Sequence, residues 1–141
     1  MIKIRNCNSF THEFSTASGA IDATEIVATS GQRVVLSSIF SSFSFTTGGI
    51  QLAAGPIANV PRIHLTDSDD NVVLGFVPTR SQSVAGYSPA NSINNSMFFQ
   101  VPGRGLFFGN GLKVNALAPA YTGVGGVPSG MRLTLNLVYQ T

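Results

Sequence analysis

Apolar side chains occupy every second position of residues 131–141: Met131, Leu133, Leu135, Leu137 and Tyr139, with Arg132, Thr134, Asn136 and Gln140 between them. Successive side chains of a strand point to opposite faces, so this alternation predicts a strand with one face in a core and the other towards water or a polar neighbour. A chain end held in this way needs strands beside it and a second layer beneath it. The stretch 111–118 alternates similarly, placing Leu112, Val114, Ala116 and Ala118 on one face and Lys113 and Asn115 on the other.

The same reading predicts strands over residues 24–29, 50–54, 62–66, 72–77 and 106–108, with Met97, Phe99 and Val101 alternating in another. Ser30, Gly31 and Gln32 form a turn before a partner strand that begins at Arg33. Val34, Leu36 and Phe40 share one parity there, while Phe43 and Phe45 share the other. A strand cannot transfer its apolar set to the opposite face without an extra residue, so a β-bulge or bend is expected near Ser41 and Ser42. Residues 67–71, DSDDN, read as a hairpin loop, PGRG at 102–105 as a turn that sends the chain back, and GNG at 109–111 as another turn.

Residues 6–22 lose any period, and Phe10 and Phe14 are their large apolar side chains. Such a segment reads as an arm or long loop that the two phenylalanines anchor to its own domain or to a neighbour. The expected organisation is an N-terminal arm over 1–23, with a short strand at Ile2 and Ile4, followed by one β-sandwich domain over 24–141. No helical period and no fixed repeat interrupts the series. The fold class is therefore all-β: an antiparallel β-sandwich of about eight to ten strands.

Composition sharpens this picture in one respect. Only 10 % of the 141 residues are charged, against roughly 25 % in an average soluble protein. Ser, Thr, Asn and Gly fill the polar positions, which suits a subunit packed against others. Val34–Val35, Ile39–Phe40, Val72–Val73, Phe98–Phe99 and Phe107–Phe108 are apolar doublets, and neighbours in a strand face opposite ways. One member of each doublet thus needs cover from a loop or from another subunit. Residues 78–95 form the longest stretch without a period and are the first place to look for a contact surface.

Candidate chemistry is sparse. The net charge of +2 comes from basic residues no two of which are adjacent, so no stripe for tracking phosphates forms and nucleic acid is not an expected partner. Cys7 is the single cysteine, which excludes an internal disulfide. The opening MIKIRNCN lacks the apolar run of a secretory signal, and no apolar stretch reaches membrane-spanning length. A soluble protein made in the cytoplasm, without a membrane partner, is expected. Asp67, Asp69 and Asn71 imitate the start of a calcium loop, but Val72 and Pro78 stand where glycine and the closing acid belong. An Asx-rich turn is the expectation, with no metal and no cofactor. His64 sits on the polar parity of its strand and His12 in the arm; neither has zinc spacing or a nucleophile signature. No catalytic residue is assigned and the chain is not expected to be an enzyme. Tyr87 and Tyr121, in the two long loops beside Asn, Ser and Thr, are the candidate contacts of an alternative reading, a glycan- or receptor-binding module.

Three segments, TEIVATSGQRVVLSSIFSSFSF at 24–45, GLKVNALA at 111–118 and LTLNLVYQT at 133–141, give the chain a style that resembles small structural proteins of tailed-phage virions. The resemblance implies that the antiparallel β-sandwich is jelly-roll-like, and that the chain is a non-enzymatic capsid cement or decoration protein that stabilises a viral shell, or in the alternative reading a module of a phage tail or head fibre. It also implies a location on the virion, and as partners the major capsid or other virion proteins and further copies of itself. A homo-oligomer is expected, with a trimer favoured. Phe10, Phe14, Phe98 and Phe107 are the candidate interface residues.

Overall fold

The computed structural model describes residues 5–14, 19–46, 61–78, 92–118 and 132–141. Among them are nine strands: β1 (Asn6–Glu13), β2 (Ile21–Ala28), β3 (Val34–Thr46), β4 (Arg62–Thr66), β5 (Val72–Phe76), β6 (Ser92–Gln100), β7 (Leu106–Phe108), β8 (Leu112–Leu117) and β9 (Arg132–Gln140). All pairings are antiparallel. The first sheet has the order β1-β9-β3-β6, with β7 also on β3, and the second has the order β2-β8-β4-β5. The two sheets share one apolar core to which both contribute. With β6 and β7 taken as one interrupted strand, this is an eight-stranded, double-sheet jelly roll. The strands predicted at Ile2–Ile4 and at 50–54, and the loops 79–91 and 119–131, lie outside the described residues.

The closing strand behaves as its alternation predicts. Leu133, Leu135 and Leu137 are fully buried, and β9 lies between β1 and β3 in the interior of its sheet. Burial of each leucine contributes about 1.5–3 kcal/mol before the entropy of ordering it is counted. Leu112, Val114 and Ala116 of β8 fill the opposite wall of the core. On the other face of β8, Asn115 is almost completely buried as well. Its carboxamide is satisfied across the sheet, accepting from Thr24 Oγ1 at 2.7 Å and donating to Thr66 Oγ1 at 3.1 Å.

Four features differ from the sequence reading. The turn at 30–32 forms, with Gln32 N–H donating to the Thr29 carbonyl at 3.2 Å, yet it carries the chain between sheets: β2 pairs with β8, and β3 with β9. The parity change in β3 occurs at Ser37, where the register with β9 shifts between Leu36 and Ser38. Ile39, Ser41 and Phe43 consequently face the core, and Phe40 faces outward. PGRG does not reverse the chain, because β6 and β7 run in the same direction along successive parts of β3. It is an excursion from the sheet edge that rejoins at Gly105, whose φ of 93° and approach to the Leu36 carbonyl leave no room for a side chain: a Cβ would sit 2.7 Å from that oxygen.

The fourth difference concerns the expected arm. Residues 6–13 form β1, paired along its whole length with β9. Its inward positions are Asn6, Asn8, Phe10 and His12, continued by Phe14, so polar residues interrupt the apolar set and conceal the strand. Pairing with β9, more than 100 residues away in sequence, supplies what local pattern lacks.

Candidate functional site

The side chains of Phe10 and Phe14 are buried in the core. They flank the His12 ring, Phe14 edge-on at 4.8 Å between centroids and Phe10 stacked at 6.2 Å. His12 Nε2 meets Asp22 Oδ2 at 2.6 Å, joining β1 of one sheet to β2 of the other. Together with the hydrogen bond from Tyr139 Oη to the Val27 carbonyl, this closes one side of the sandwich. Phe10 and Phe14 therefore anchor their own domain, and the interface expected of them is not where the structure places them.

Phe98 and Phe107 are exposed, at 64 % and 57 %. The β3·β6 register sets Phe98 directly opposite Phe40, itself 40 % exposed, and the β3·β7 register sets Phe107 opposite Val35. All four project from the outer face of the first sheet. The doublets explain why: Val34, Ile39 and Phe108 point into the core, so Val35, Phe40 and Phe107 point out. Phe40 escapes sequence reasoning because a bulge at Ser41 would have sent it inward. The rest of this outer face carries Ser9, Thr11, Ser38, Ser42, Asn136 and Gln140, with Glu13 and Arg132 paired at 3.4 Å at one end. Uncharged polar groups around exposed aromatic rings make a surface that loses little on being covered.

A second apolar feature lies at the open side of the sandwich. Ile39, Met97 and Phe99 of the first sheet and Leu74 and Phe76 of the second line a cleft of about 150 Å³ with no polar atom on its walls. Such a lining holds apolar groups and offers no acid, base or nucleophile.

The polar clusters are occupied by the fold. Asp67 accepts from the backbone N–H groups of Asp69 and Asn71, both at 2.9 Å, and from Asn71 Nδ2 at 2.8 Å. These bonds, led by that of the Asn71 side chain, hold the Asp67 pKa below its ordinary 3.8. Asn110 Nδ2 donates to Asp69 Oδ2, and Lys113 Nζ donates to Asp70 Oδ1. DSDDN is thus an Asx-rich turn, as expected, with Asp70 at φ 65°. His64 is half-buried on the outer face of the second sheet, where Gly75 makes room for its ring.

Tyr87 and Tyr121 lie outside the described residues. The connections that carry them, 79–91 and 119–131, leave from and return to one end of the sandwich, the end at which Ser44 pairs with Arg132 and Arg62 with Leu117. Among the described residues no helix is long and apolar enough to cross a membrane.

No protein-family model and no curated protein matches the chain. Among solved structures it is similar to a chain in the structure of infectious bursal disease virus Gx strain, with a TM-score of 0.38 and 11 % sequence identity. The likeness covers 96 % of this chain and 36 % of the viral chain, so this chain spans about a third of the length of that neighbour.

Proposed function

We propose that the chain is a non-enzymatic structural subunit of a virion, of the capsid cement or decoration kind, which stabilises a viral shell as a homo-oligomer. The observation that carries this reading is the outer face of the first sheet, where Phe40, Phe98 and Phe107 are exposed among uncharged polar groups. A sheet face with three exposed phenylalanines is a contact surface in search of cover, and a jelly roll is an architecture that viral capsids use repeatedly. The resemblance of its segments to small structural proteins of tailed-phage virions supports the choice of particle. The expected partners are further copies of the chain and the major capsid or other virion proteins.

Co-sedimentation with purified shells tests the reading. The wild-type chain is expected in the pellet with the shells, and a Phe40→Ser, Phe107→Ser variant that keeps its melting temperature is expected in the supernatant. A wild-type chain that neither self-associates nor pellets overturns the proposal. The second reading, a glycan- or receptor-binding module, draws on the common end of the sandwich from which the connections bearing Tyr87 and Tyr121 leave. A glycan array with Tyr87→Ala and Tyr121→Ala variants tests it.

A further inference from the structure

The four sheet margins of the sandwich are not alike. At the closed side, β1 carries His12 and Glu13, while β2 carries Asp22 and Glu25 and is broken by two register shifts. Charges and bulges are the devices by which edge strands avoid pairing with other chains. At the open side, β5 and β6 contain no charged residue and no proline. β5 is five residues long and its partner strand shifts register at Thr66. β6 is nine residues long, in unbroken register with β3, and among the described residues it has no strand on its other side.

The direction of its backbone groups follows from one hydrogen bond. Val101 N–H donates to the Ser37 carbonyl at 2.9 Å, continuing the register that sets Gln100 opposite Ser38. Inward and outward groups alternate along an antiparallel strand. Met97 and Phe99 therefore turn their N–H and C=O groups to β3, and Ser96, Phe98 and Gln100 turn theirs away from it.

We propose that β6 is a strand-pairing edge at which a second copy of this chain docks, with its own β6 antiparallel, so that the two first sheets become one continuous sheet across a two-fold axis. A second copy suits the edge for three reasons. An uncharged strand brought against itself meets no like charge. The pairing joins the two Phe40–Phe98 patches and sets the two apolar clefts side by side, covering Met97 and Phe99. The margin is also large enough: nine residues extend about 30 Å, and two sheets about 10 Å apart with their outward side chains are about 20 Å deep. That gives about 600 Å² per copy, above the roughly 1,000 Å² in total that a specific interface needs. A two-fold pairing closes with two copies, so the inference puts a dimer in place of the trimer expected from sequence. It rests on the assembling role proposed above and names the contact that role uses.

Sedimentation equilibrium of the full chain over a concentration series tests it. The wild type is expected at the mass of two chains. Ser96→Pro removes an N–H that faces away from β3 and leaves every β3·β6 hydrogen bond intact, a placement that edge strands tolerate. It is expected to weaken dimerisation by about tenfold or more. Phe98→Lys, at an exposed position, places two like charges near the axis and is expected to do the same, while Ile26→Ser on the second sheet leaves the dimer unchanged. Circular dichroism and thermal melting establish that each variant is folded. A wild type of three chains, or a dimer that persists in the folded Ser96→Pro or Phe98→Lys variant, overturns the edge pairing and leaves the assembling role standing. A monomeric wild type overturns both.

Discussion

Ser41 faces the core from the middle of β3, between Met97 of β6 and Leu135 of β9, and is completely buried. Its hydroxyl has no hydrogen-bond partner among the described residues. A buried polar group left unsatisfied costs about 1–3 kcal/mol, and removing the oxygen leaves almost the same shape. Ser41→Ala is accordingly expected to raise stability by about 1 kcal/mol, seen as a higher urea midpoint at unchanged slope. Asp67 poses the opposite case, a carboxylate fully used by its turn. Its pKa is lowered on folding, so the charged form contributes stability at neutral pH, and that contribution is lost as the pH falls through the folded value, below 3.8. Asp67→Ala is expected to lower the melting temperature at neutral pH. The difference from wild type should shrink steadily in melts taken from about pH 4 downwards.

At the scale of the element, β1 decides how the N-terminal region behaves. It contributes Phe10 to the core, with Phe14 just beyond its end, covers one side of β9 and ties the two sheets through His12 and Asp22. An arm can be cut away from a folded domain; a strand of this kind cannot. Deleting residues 1–14 is expected to abolish cooperative thermal unfolding, and a truncated chain that melts as sharply as the full one would contradict the pairing of β1 with β9. The contrast shows which parts of the fold were legible beforehand. β8 and β9 were read correctly because their alternation is local and unbroken, and the 67–71 hairpin because its turn residues are. β1 was missed because Asn8 and His12 occupy inward positions that only a distant partner makes tenable. The bulge in β3 was foreseen but misplaced by four residues, since the doublet Ile39–Phe40 satisfies either parity. That same ambiguity hid the exposure of Phe40, while the exposure of one member of each of the doublets Phe98–Phe99 and Phe107–Phe108 was legible. The assignment of neighbouring strands to different sheets left no local trace at all.

At the scale of the whole molecule, the placement of charge matters more than its sum. The net charge is only +2, and the ion pairs of lysine and arginine among the described residues sit at the margin of the outer face or away from it: Glu13 with Arg132 at one end and Asp70 with Lys113 beside the hairpin turn. Strand β6 itself and the positions of β3 opposite it carry only apolar and neutral polar groups. Contacts made through them gain from apolar burial and backbone pairing, neither of which salt screens, whereas a contact steered by opposed charges weakens as the Debye length falls from about 10 Å at 0.1 M to about 3 Å at 1 M. Self-association and shell binding are therefore expected to change by less than about twofold between 0.1 M and 1 M sodium chloride. Sedimentation of the chain alone and with shells across that range checks this. A tenfold loss of binding at the higher salt would mean that charged side chains carry the contact, and would move the interface from the first sheet to the second, where Arg62, Lys113 and Glu25 lie.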